Sequence, residues 1–183
     1  MEKLQKEFFA KDTEQVAKNL LGKVIKVWNK YWIITETEAY KHNCDEASHA
    51  YWKKTSRNAL MYDTYWFVYV YLIYGIHYCL NFTSDKEKPG AVLIRWVKQV
   101  EVRRVFRRCQ KRENLKIWGL INWPGRVTKF FGIDKSFNWL DLEKTDKIQV
   151  LDAWIKLKNI QATPRIWISK AKDKLWRFVV ELI

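Results

Sequence analysis

The sequence predicts a single α+β domain whose core is a largely antiparallel sheet with helices around it. Three observations lead there. Short runs of β-branched and aromatic residues, bounded by turn residues, recur over Val24–Tyr40, Phe67–Ile73, Tyr78–Thr83, Ala91–Val97 and Arg177–Ile183. Helical periodicity is confined to brief stretches between them. No repeat, linker or low-complexity segment divides the 183 residues, a length that suits one domain spanning 1–183.

Taken in order, Asp12 can cap a helix with Gln15 three residues on. Val16, Ala17, Leu20 and Leu21 then provide apolar pairs at helical spacing until Gly22 stops it. From Val24 to Tyr40 the apolar residues suit a hairpin broken at Asn29–Lys30 and ending near Glu38. Residues 41–64 are polar and irregular, and Phe67–Ile73 then reads as a buried strand closed by Gly75. Two further strands are expected at Tyr78–Thr83 and Ala91–Val97, joined by the charged turn Ser84–Gly90. Val100–Cys109 reads as an arginine-dense helix, Pro124 can open another at its first turn, and Arg177–Ile183 alternates like a closing strand.

Lys and Arg total 34 against 20 Asp and Glu, for a formal net charge of +14, which favours a polyanionic partner, nucleic acid first. Cys44, Cys79 and Cys109 form no CxxC pair and only three His are present, so neither a disulfide framework nor a zinc site is indicated. A reducing cytoplasm fits that cysteine usage. The first ten residues lack a long apolar run, and no stretch reaches the ~18 apolar residues of a spanning helix, so a soluble, unexported chain is expected.

The segment most suggestive of chemistry is Glu36-Thr37-Glu38-Ala39-Tyr40. Period-two alternation puts both carboxylates and Tyr40 on one face of a strand end. A carboxylate placed beside an aromatic can position and deprotonate a water at a sugar carbon on which positive charge grows. Glu38 is the first candidate for that role, ahead of Glu36. In Tyr69–Gly75, Tyr69, Tyr71 and Ile73 share one face. Tyr74 falls at a turn beside Gly75, from where it can wedge between stacked bases. For Tyr69, core packing is the expected role.

These segments, with Gln15–Lys23, Ala47-Ser48-His49-Ala50-Tyr51, Thr55-Ser56-Arg57-Asn58, Cys79-Leu80-Asn81, Ala91–Arg95, Pro124-Gly125-Arg126, Gly132-Ile133-Asp134, Pro164-Arg165-Ile166 and Trp176-Arg177-Phe178, follow a recognisable order. Over nearly its whole length the chain resembles the alkyladenine (3-methyladenine) DNA glycosylases. The resemblance implies a curved sheet and a basic groove facing duplex DNA. Its activity would be excision of alkylated or deaminated purines such as 3-methyladenine, 7-methylguanine, hypoxanthine and ethenoadenine after the nucleotide is flipped out. By the same resemblance Glu38 is the general base, and Arg95 helps to hold the water and the DNA backbone. Tyr40, His49 and Tyr71 stack on the purine, and the backbone around Ala47 and His49 reads its edge. Asn81 floors the pocket and discourages guanine, Tyr74 intercalates, and Met61 and Arg57 contact DNA. It implies direct hydrolysis to a free base and an abasic site, without a catalytic lysine, metal or cofactor, by a monomer in the cytoplasm or nucleoid. The competing class is a non-catalytic lesion-binding or nucleic-acid-binding protein, which would need the charge and the tyrosines but not Glu38 with Arg95.

Several positions depart from that resemblance. Trp32, Trp66, Trp123, Trp139 and Trp167, with Trp52 a further case, stand where the family carries glycine, and the chain has eleven Trp against six Gly. Tyr65 replaces a proline, and Lys98-Gln99 replaces an acidic-proline pair. A non-glycine residue forced to positive φ costs about 1–2 kcal/mol. Codons in which UGA is read as glycine, but written as tryptophan, would account for the exchange. The rival reading is genuine, exposed tryptophans that add DNA contacts.

Overall fold

The computed structural model describes residues 1–100 and 117–181. Its framework is an antiparallel sheet of ten strands: β1 (Glu2–Lys3), β2 (Val24–Val27), β3 (Lys30–Lys41), β4 (Val68–Ile73), β5 (His77–Ser84), β6 (Gly90–Val100), β7 (Ile117–Ile121), β8 (Ile148–Asp152), β9 (Lys158–Thr163) and β10 (Arg177–Glu181). The helices are α1 (Lys6–Phe9), α2 (Thr13–Leu20), α3 (Ala59–Asp63), α4 (Pro124–Phe131) and a 3-10 turn at Lys135–Phe137. The α+β class, the hairpin at 24–41, the strands on either side of Tyr74–Gly75 and the turn into β6 follow the sequence reading. The expected helix at Val100–Cys109 lies outside the described residues.

The sheet runs β1-β8-β2-β3-β6-β5-β4 and branches at β3, where β10 joins with β9 beyond it, and at β6, where β7 joins. The first residues of β3 pair with β2 and its later residues pair with β10, while β6 runs along its other edge. A strand with a neighbour on each edge and layers over both faces is buried throughout, and every residue from Trp32 to Ala39 is. Thr37 turns toward α2, where its hydroxyl donates to the Ala17 carbonyl at 2.8 Å. Glu36 and Glu38 project from the opposite face.

Helix α2 forms because Val16, Ala17 and Leu20 recur at helical spacing and bury against the sheet, while the Asp12 carboxylate accepts from the Glu14 amide at 2.9 Å. Pro124 opens α4, since its missing N–H is no loss in the first turn. Gly132, at φ +69°, closes the same helix in the left-handed conformation that its absent Cβ permits. Between β4 and β5, Tyr74 and Gly75 both have positive φ, +53° and +72°, and Ile76 donates back to the Ile73 carbonyl at 3.2 Å. Two successive left-handed residues make a tight turn whose twist matches that of the flanking strands.

Of the tryptophans that the resemblance sets against glycine, Trp66 (φ +74°), Trp139 (+71°) and Trp167 (+62°) adopt left-handed backbone. Trp32 does not: it lies in β3, 4% exposed, with its ring edge-on to Phe130 at 4.7 Å. Trp123 precedes α4 in extended backbone at φ −159°, and Trp52 is not left-handed either. Trp28 and Trp154, which the sequence reading did not single out, are left-handed at +53° and +51°.

Asp12 also pairs with Lys41 at 2.5 Å, tying the start of α2 to the end of β3. Asp12→Ala is expected to lower stability by about 1 kcal/mol. Urea unfolding would show this as a lower midpoint at an unchanged m-value.

Candidate active site

Two carboxylates are buried in the middle of β3, and their partners differ. Glu36 accepts from Arg95 Nε at 2.8 Å and from Arg177 Nε at 2.7 Å, so two guanidinium groups share one carboxylate. Glu38 accepts from Arg95 at 3.3 Å, from the Tyr40 hydroxyl at 2.8 Å and from the Ile166 amide at 3.0 Å. Burial raises the Glu38 pKa above its ordinary value. Arg95, the Ile166 amide and Tyr40 offset only part of that rise.

The strand register produces this arrangement. Ile34 pairs with Val97, Glu36 with Trp96 and Thr37 with Ile94, so Thr35 and Arg95 are each an extra residue in their strands. Two compensating bulges result, and the one at Arg95 swings its side chain toward both glutamates. Behind them, β10 sets Arg177 opposite Glu38 and Val179 opposite Glu36.

Beside Glu38 lies a cavity rich in aromatic residues; Glu38 does not line it, but its three hydrogen-bond donors do. Tyr40, Tyr71, Tyr74, Arg95, Trp123 and Trp167 are among the residues lining this cavity of about 260 Å³. Burial and the adjacent Glu38 push the Tyr40 hydroxyl pKa well above ordinary, so this group stays protonated and donates. Burial does the same to Tyr71. His49 lies outside the lining, with its ring edge-on to Tyr71 at 4.6 Å and its Nδ1 2.9 Å from the Tyr69 hydroxyl. Although part of His49 reaches the surface, desolvation and then Arg57 hold its pKa down to about 4, leaving the imidazole neutral near pH 7.

The other expected site residues fall at varying distances from this centre. Asn81 is buried, and its amide donates to the Tyr69 and Cys79 carbonyls at 3.1 and 3.2 Å, outside the cavity lining. The Ala47 amide donates to Asp45 at 3.2 Å. Met61 is 2% exposed and packs with Ala50, Leu60, Tyr69 and Ala91. That burial leaves Met61 little surface to offer another molecule. Arg57 is exposed, with its guanidinium 5.8 Å from the Tyr71 ring centre.

Three contributors escaped the sequence reading. Arg165 and Asp45 form a fully buried two-pronged pair at 2.6 and 2.7 Å, and the Arg165 guanidinium lies 4.6 Å from the Tyr40 ring centre. Arg177 anchors Glu36, and the Ile166 amide reaches Glu38. Each contact joins residues more than 110 positions apart, so spacing within one sequence carries no trace of it.

Glu36→Ala would strand two guanidiniums, and a loss of about 3–5 kcal/mol is expected in denaturant unfolding. Asp63→Ala, which removes the exposed pair with Lys54, should change stability by less than about 1 kcal/mol. The depressed His49 pKa makes its contribution to folding complete above about pH 6.5 and progressively lost as pH falls toward about 4. Raised Glu38 acts in the opposite sense, its contribution fading as pH rises through its folded pKa. Thermal unfolding from pH 7 to pH 4 should therefore be less acid-sensitive in His49→Phe than in the parent.

Comparison with known proteins supplies the context for this geometry. The profile of the family described as methylpurine-DNA glycosylase (MPG) matches residues 7–182. A chain from Rickettsia felis, provisionally named a 3-methyladenine DNA glycosylase, is 41% identical over 97% of this chain and 92% of its own length. A similarly named chain from Rickettsia rickettsii is 40% identical over 97% of this chain and 89% of its own. With the match running almost from end to end, the chain belongs to the methylpurine-DNA glycosylase family of DNA repair enzymes.

Proposed function

We propose that the protein hydrolyses the N-glycosidic bond of alkylated or deaminated purines flipped from duplex DNA, with Glu38 as the base that activates water. 3-Methyladenine, 7-methylguanine, hypoxanthine and ethenoadenine are the lesion class. The observation that carries the proposal is Glu38 itself. It is a fully buried carboxylate held by three donors, all from residues that line the cavity: Tyr40, Arg95 and Ile166.

In this reading water attacks the anomeric carbon while the bond to the purine nitrogen breaks and its electrons leave with the base. Glu38 accepts the proton lost by the water, and the products are a free purine and an abasic site. Positive charge develops on the sugar in the transition state, and a buried carboxylate stabilises it in a low-dielectric setting. Arg95 orients Glu38 and assists with the water and the DNA backbone. Tyr40, Tyr71 and the neutral His49 offer aromatic faces for the extruded base, on which electron-poor or cationic alkylated purines stack well. Tyr74, 73% exposed at its turn, takes the space that the base has left. The net charge of +14 supports the DNA backbone as partner. The reading assigns no covalent enzyme intermediate and no strand cleavage to the chain, which would act as a monomer in the cytoplasm or nucleoid.

Release of hypoxanthine and 3-methyladenine from labelled duplex DNA is the test, with Glu38→Gln compared at matched folding and salt. The parent should release base and the variant should lose at least about a hundredfold in single-turnover rate. Lesion binding by the parent without any release would overturn the reading. Since the base must be ionised and its pKa is raised, activity should fall as pH drops through a midpoint above the ordinary carboxylate range.

A further inference from the structure

Ten described residues other than glycine have φ between +50° and +74°, and five of them are tryptophan: Trp28, Trp66, Trp139, Trp154 and Trp167. Three of the remainder are Asn43, Asp85 and Asn159, types that tolerate this region because their short polar side chains bond locally. Tryptophan has no such compensation, and for a bulky residue a left-handed backbone is a genuine outlier.

Strain of this kind persists where surrounding contacts over-determine it, and at four of these five positions the side chain has little to hold it. Trp28, Trp139, Trp154 and Trp167 are 55%, 48%, 59% and 81% exposed. At Trp66 the indole does find a partner, donating to Asp141 at 2.8 Å. The backbone, by contrast, is closely specified. Val27 pairs with Lys30, leaving Trp28 and Asn29 as a two-residue hairpin loop, and only the first of these has positive φ. That is the pattern in which glycine is favoured at the first position. The Trp66 amide donates to the Thr83 carbonyl at 2.9 Å, and its own carbonyl accepts from Leu142 at 3.2 Å. Trp167 follows Ile166, so its left-handed turn directs the chain away just after the amide that binds Glu38.

Composition agrees with the backbone. Six glycines in 183 residues is under half the usual ~7% share, and four of those six are themselves left-handed. We infer that the protein made from this gene carries glycine at positions 28, 66, 139, 154 and 167, their codons being UGA translated as glycine rather than tryptophan. Trp28 and Trp154 enter on backbone conformation alone. Trp32 and Trp123, whose backbones suit any residue, fall outside the inference. Glycine at 167 also removes an indole from the cavity lining that includes Tyr40 and Arg95. The cell must then contain a glycine tRNA that reads UGA.

The gene and the folded chain test this separately, and neither test depends on the glycosylase reading. UGA is expected at all five codons, and tryptic peptides of the protein from its natural source should carry glycine at position 167. UGG at these codons, or tryptophan in that peptide, overturns the inference. In the second test the five-fold Trp→Gly chain is compared with the five-fold Trp→Ala chain, which loses the same indoles but keeps a Cβ. The glycine chain should melt higher than both the parent and the alanine chain, by on the order of 10 °C. A glycine chain that melts no higher than the alanine chain would overturn the conformational basis of the inference.

Discussion

Four charged side chains share the interior of this sheet, and the rest of the site depends on their mutual neutralisation. Glu36 and Glu38 cannot both sit at zero exposure on one strand face without counter-charges. Arg95 spans both and Arg177 completes Glu36. Glu36 takes two guanidinium contacts, while Glu38 has one long ion pair and two hydrogen bonds. Burial raises the Glu38 pKa and these partners offset only part of that rise, which suits the proposed role of proton acceptor. The different surroundings of two chemically identical residues are set by which strand runs beside each, and that is a property of the branched sheet.

The paired bulges at Thr35 and Arg95 show why some of this was legible in sequence and some was not. Alternation correctly placed Glu36, Glu38 and Tyr40 on one face, since period two holds along β3 beyond the bulge at Thr35. Arg95 could be nominated only through resemblance to a family, because regular alternation on β6 offers no reason for its aim. The extra residue supplies that reason, and it exists only relative to the partner strand. Arg165 with Asp45, and Arg177 with Glu36, are invisible for the same cause: their meeting depends on β10 and the segment before it returning to β3. In the fold, α2, α4 and the central hairpins announced themselves through caps, Pro124 and dense apolar runs. The edge strands β1 and β9 are short or mostly exposed, so burial left no periodic mark on them.

Met61 illustrates a different limit. The resemblance implies that it contacts DNA, and in the structure it is buried with Leu60 and Tyr69. A motif transmits position along the chain, but the depth of a side chain is decided by what lies over it. His49 is the converse case. Its neutrality comes from the aromatic rings and the Arg57 cation around it, none adjacent to it in sequence, and a neutral imidazole can stack on a cationic base without repelling it.

The turn at Tyr74–Gly75 has a consequence for how this protein would search DNA. Both residues are locked in left-handed backbone, and the turn closes on the Ile73 carbonyl between paired strands. A tip built this way has little backbone freedom left to lose on entering a base stack, so the ordering entropy is met during folding and not at each encounter. With Tyr74 in its proposed role, probing of successive base pairs would be limited by the DNA's own willingness to open. Weakly paired or distorted steps, where a damaged purine sits, would yield first, and selection would begin before any base reaches the cavity.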